Sequence, residues 1–86
     1  MTIAFELDHP FDKGGENYAR LEARRPKVRD LNQFLKDVDK DASSAMEKVL
    51  ANLCEVHPSV IAEVDIEDYA KMKRWFEDFL KPMMAE

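Results

Sequence analysis

Cysteine, glycine and long apolar runs are all scarce in this chain of 86 residues, and each scarcity removes a class of explanation. The lone cysteine, Cys54, can form no internal disulfide, so packing alone must hold the fold and nothing points to an oxidising compartment. Gly14 and Gly15 are the only glycines. A phosphate-cradling loop or a dinucleotide fingerprint needs several spaced glycines for close backbone approach, so both are excluded. Apolar runs such as Val49-Leu50-Ala51 fall far short of the roughly 20 residues that span a bilayer. Glu6 and Asp8 interrupt what would be the apolar core of a signal peptide. The expectation is a soluble, cytoplasmic protein with no membrane partner, built as a single domain over residues 1–86 that buries about three fifths of its unfolded surface.

What is present is charge, unevenly placed. The net charge is −5, which disfavours nonspecific binding to phosphate backbones. Residues 20–36 nevertheless hold six Lys/Arg against two Asp/Glu, net +4, while residues 1–19 carry −3 and residues 37–86 carry −6. At the centre of that basic block lies Arg24-Arg25-Pro26-Lys27-Val28-Arg29-Asp30-Leu31, where the chain changes period. Before it apolar residues alternate, and after it they recur every three or four. Pro26 holds Arg25 extended and suits the first turn of a helix, so strand can give way to helix within a few residues.

The predicted fold class is α+β: an N-terminal β-hairpin over residues 1–25 packed on three to four α-helices within residues 26–82. Ile3, Phe5 and Leu7 alternate with polar partners, as do Ala19, Leu21 and Ala23, with residues 9–17 as the connection and Gly14-Gly15 at its tip. A register opposing Phe5 to Leu21 keeps both apolar faces together and sets Glu6 against Arg20, an attractive pair. Helix one is expected over about 27–38, with Val28, Leu31, Phe34, Leu35 and Val38 on one face. Residues 39–44 form the break, and Asp41 or Ser44 caps a second helix that ends near Cys54. Pro58 opens a short turn or helix, Asp65 and Asp68 read as caps of the last helix, and Pro82 stops it soon after Lys81.

Several patterns look like chemistry and fail on inspection. Asp37, Asp39 and Asp41 begin like a calcium loop, but Ala42 stands where the turn needs glycine and Lys48 where a bidentate glutamate is needed. Cys54 and His57 have ligand spacing, but a structural zinc needs four donors and only His9 remains as another. The same pair lacks an orienting group for nucleophilic catalysis. No catalytic residue, cofactor or metal is therefore expected, and the chain reads as a non-enzymatic protein-binding domain.

Two features suit a binding surface. Arg24, Arg25, Lys27 and Arg29 gather at a helix N-terminus, where cations oppose the macrodipole by a few tenths of a kcal/mol each, approximately, so something else retains them. Met72, Trp75, Phe79 and Met83 widen the apolar arc of the last helix beyond what one small core needs, and methionine-rich surfaces adapt to varied partners. These eight residues form the expected partner-binding set. A Trp75→Ala/Phe79→Ala double change is expected to weaken partner binding while leaving the fold largely intact.

The order of elements, together with Arg24-Arg25-Pro26-Lys27-Val28-Arg29-Asp30-Leu31, the helix start Val64-Asp65-Ile66-Glu67-Asp68-Tyr69 and the closing Phe79-Leu80, resembles the small tail assembly chaperones of contractile-tailed phages, Mu-like phages among them. The similarity spans roughly Ile3 to Leu80. It implies a protein that binds the long helical tape measure protein in the host cytoplasm, keeps it soluble during tail morphogenesis, and is absent from the mature virion. A homo-oligomer is compatible with it, and nucleic acid is not expected as a partner. Two other readings stand beside it: a nucleic-acid-binding regulator using the Arg20 to Arg29 cluster, and a structural tail or adaptor subunit.

Overall fold

The computed structural model describes the backbone of residues 2–84 and the side chains through Pro82. Two antiparallel strands, β1 (Thr2–Lys13) and β2 (Glu16–Arg24), are followed by α1 (Val28–Lys40), α2 (Ala42–Cys54), α3 (Pro58–Ala62) and α4 (Ile66–Met84). The α+β expectation holds, with four helices behind the hairpin. No described helix is long and apolar enough to cross a membrane.

The hairpin has the expected register, Phe5 opposite Leu21 and Glu6 opposite Arg20. Gly14 and Gly15 form the tip, with φ of 60° and 83°, a left-handed geometry that glycine adopts without a Cβ clash. Residues 9–17 are not a loop, however. Pairing resumes at Phe11 opposite Tyr18 and continues to Lys13 opposite Glu16, and the two rings stack with centroids 5.2 Å apart. Between the two paired stretches, residues 7–10 of β1 face Ala19 alone on β2. This wide bulge accommodates Pro10, which has no N–H for a ladder, and turns Leu7 into the core.

α2 is the central element. Ala45, Met46, Val49, Leu50, Ala51, Leu53 and Cys54 are all buried, because the helix packs against α1, α3, α4 and β2 at once. Its N-terminus is capped by Asp41, whose carboxylate accepts from the backbone N–H groups of Ser43 and Ser44. The break between α1 and α2 is thus one residue, shorter than the expected 39–44. Glu55, left-handed at φ 58°, ends α2. His57 and Pro58 open α3, with His57 Nδ1 accepting from the Ser59 N–H at 3.1 Å. α4 contributes Met72 and Phe76 to the core and runs through Pro82 to Met84. The proline falls in the last turn, where it costs a single hydrogen bond, so the helix ends slightly later than expected.

α1 departs from its expected packing. Asp30 is its buried residue, while Val28 is 73% and Leu35 53% exposed. Phe34, edge-on to Phe76 at 5.2 Å, packs α1 against the core.

Candidate functional site

Two buried carboxylates set the relative positions of the elements on which any site must be built. At the pivot, Asp30 accepts from Arg24 Nη1 at 2.8 Å and Nη2 at 3.0 Å, from the Lys27 backbone N–H at 2.7 Å and from Asn52 Nδ2 at 3.1 Å. One side chain thereby ties the end of β2, the start of α1 and the flank of α2 together. The guanidinium fork matches the carboxylate bidentately, and Arg24 holds the Asp30 carboxyl below its ordinary value of 3.8 against the opposing effect of burial. At the other end of the hairpin, Asp68 accepts from the backbone N–H groups of Asp8 and His9 at 2.9 and 3.0 Å. Those are donors that the β1 bulge leaves without a strand partner, and the buried carboxylate satisfies both. Asp65 and Asp68 were both expected to cap α4; Asp65 does so, accepting from the Glu67 N–H at 2.9 Å, whereas Asp68 serves the hairpin.

Around Asp68 an exposed polar clasp completes the junction. Lys71 pairs with Asp8, and His9 Nε2 lies 2.8 Å from Glu67 Oε1 and 3.9 Å from Asp65 Oδ1. Glu67 first, then Asp65, raise the His9 pKa above its ordinary 6.5, whereas Lys71 lowers that of Asp8. His9, Asp65 and Glu67 offer three donor atoms within 4.8 Å of one another, but their mutual hydrogen bonding at the surface accounts for the arrangement. Cys54 is buried, which pushes its thiol up to about 11 and leaves it protonated and unreactive at neutral pH.

With the hairpin braced on α4, part of the predicted binding set comes together. Trp75 meets Phe5 edge-on at 5.4 Å and Phe79 at 5.2 Å, and the Arg25 guanidinium lies 5.2 Å from the centre of the Phe79 ring. Arg25, Trp75 and Phe79, with Thr2, Ile3 and Ala23, line a shallow hollow of 160 Å³. Other members lie elsewhere. Arg24 is committed to Asp30, and Met72 has no exposed surface, so neither is available to a partner in this fold. The reason for Met72 is its place one turn before Phe76, directly over the core. Lys27 and Arg29 are exposed at the start of α1, and the side chain of Met83 lies outside the described residues. The basic cluster is smaller than its sequence suggests, since Arg20 is also paired, with Glu6 and Glu22.

The larger apolar recess was not foreseen. Phe34 and Val38 of α1, Met46 of α2, Ile61 of α3, and Ile66 and Tyr69 of α4 line an open groove of 660 Å³. Ile66 stands at its edge, 78% exposed, and Glu47 and Lys73 border it. Burial, followed by the charges of Glu47 and Glu77, raises the Tyr69 phenol above its ordinary value. In sequence Phe34 and Val38 read as part of the ordinary apolar face of helix one. The one signal was Ile66, an apolar residue at the first, least enclosed position of its helix.

Apolar lining, an open mouth and a charged border suit the docking of an amphipathic helix. Comparison with curated proteins and with solved structures gives no match. The family model described as phage tail assembly chaperone proteins, E, or 41 or 14, matches residues 4–81, nearly the whole hairpin-to-α4 unit, and the chain belongs to that family.

Proposed function

We propose that this protein binds the tape measure protein through that protein's amphipathic helical segments and holds it soluble while the tail is assembled. The observation that carries the proposal is the 660 Å³ groove between α1 and α4, apolar along its floor and open along its length. A helical client presents apolar side chains at every third or fourth residue, and such a row fits a groove better than a closed pocket. Glu47 and Glu77 beside Tyr69 favour client helices with basic residues flanking the apolar row, with Lys73 as the counter-charge. Arg25, Trp75 and Phe79 form a second, smaller contact on the hairpin side.

On this reading the protein works in the host cytoplasm without catalysis, is released as the tail tube closes around its client, and is absent from the mature virion. The direct test is dilution of denatured tape measure protein into buffer with and without the purified chain, followed by light scattering. Suppression of scattering at near-stoichiometric chain, unaffected by added nuclease, supports the proposal. Undiminished scattering at a large excess of chain contradicts it.

A further inference from the structure

Among the described residues, four large apolar side chains stand exposed: Ile3, Val28, Leu35 and Ile66. Two of them lie on α1. Val28, Leu31, Leu35 and Val38 follow a three-four spacing and form a single stripe along this helix. Leu31 and Val38 are partly buried, so the stripe is most open to solvent at Val28 and Leu35. A stripe of this period is what a helix uses to seat another helix.

The residues themselves indicate which helix. About a centre at Gln33 the stripe is palindromic: Val28 mirrors Val38, and Leu31 mirrors Leu35. Apart from Lys40, whose mirror is Pro26, the charges mirror with opposite sign. Lys27 corresponds to Asp39, and Arg25, just before the helix, to Asp41 just after it, while Arg29 and its mirror Asp37 lie on the side of the helix away from the stripe. We propose that a second copy of this chain docks here, the two α1 helices lying antiparallel across a two-fold axis level with Gln33. In that arrangement Val28 of each copy comes level with Val38 of the other and Leu31 with Leu35, while each basic end lies beside the other copy's acidic end. A parallel pairing would instead set like charges together at both ends. Asp30, whose mirror is Lys36, takes no part because four donors already enclose it.

The contact is small. A helix of 13 residues is about 20 Å long, and one such pair buries well under the roughly 800 Å² per partner of a standard interface. The dimer is therefore weak and concentration-dependent, and its apolar stripe is hidden at high concentration and open at low. The groove used for clients shares only Val38 and its neighbour Phe34 with this helix, so docking of a second copy leaves most of the groove free.

Sedimentation velocity on the full chain, from micromolar to near-millimolar concentration, tests the proposal. The wild-type chain is expected to shift from monomer to dimer across the range. Leu35→Asp, at a half-exposed position, is expected to remain monomeric with an unchanged circular dichroism spectrum. Lys27→Glu alone is expected to weaken the dimer about tenfold, because two attractive ends become repulsive. Adding Asp39→Lys in the same chain is expected to restore it, which only the antiparallel arrangement allows. A wild-type chain that stays monomeric throughout overturns the proposal. So does a dimer indifferent to both Leu35→Asp and the charge changes, and so does a monomer whose Leu35→Asp variant loses only the tape measure protein, which would give the stripe to the client.

Discussion

Asp30 shows how much one side chain can decide at the residue scale. Its carboxylate gathers donors from the end of β2, the first turn of α1 and the side of α2, so removing its charge leaves Arg24 and the Lys27 N–H poorly matched. Asp30→Asn is expected to lower stability by about 2–4 kcal/mol, read from the urea midpoint at unchanged m-value. The same group sets an acid limit. Its folded pKa lies below 3.8, so its contribution is complete above that value and is lost as pH falls further, and the wild-type urea midpoint should drop there more steeply than that of Asp30→Asn. His9 has the opposite sign. Its raised pKa means that the clasp on Glu67 is fully made below 6.5 and released as pH rises above that value. An NMR titration of His9 should give a midpoint above 6.5 that falls back in Glu67→Gln; an unmoved midpoint would remove the clasp. Cys54 is expected to resist a thiol reagent at pH 8 until the chain is unfolded, because burial keeps the thiolate from forming.

At the scale of elements, the hairpin and α4 depend on Asp68. An asparagine there keeps one acceptor but turns an amide N–H toward a backbone N–H, so Asp68→Asn should cost about 1–3 kcal/mol. The hydrogen-exchange protection of the Asp8 and His9 amides should fall first, while amides in the middle of α2 keep theirs. The strand register was legible from alternation and from the Glu6 and Arg20 pair, because a one-residue slip would have turned every apolar side chain outward. The bulge was not. Asp8, His9 and Pro10 have the composition of a loop, and only a distant carboxylate, 60 residues on, shows why they stay in a strand. Helix periods were legible as well, but a period tells which residues share a face and not what covers that face. Hence Val28 and Leu35 read as core and are exposed, while Asp68 reads as a helix cap and is buried. Trp75 misleads in the same way. It packs on Phe5 as well as Phe79, so Trp75→Ala should loosen the hairpin and is no clean probe of binding.

For the whole molecule, α2 serves as the post around which a hairpin and three helices are set, and the surfaces left over are the ones that can work. One is the groove, another the Arg25, Trp75 and Phe79 hollow, and a third the stripe on α1. The first was hidden in sequence because its lining is shared among four helices, each of which contributes only a few side chains. Ile66 isolates it experimentally: the side chain is 78% exposed and begins α4, where an acidic residue favours the helix dipole. The most direct measurement is therefore the soluble fraction of the tape measure protein when it is co-expressed with the wild-type chain or with Ile66→Asp. The wild-type chain should keep its client soluble and co-purify with it, while the folded Ile66→Asp variant should lose most of both. An insoluble client beside the wild-type chain, or equal rescue by Ile66→Asp, would contradict the role proposed for the groove.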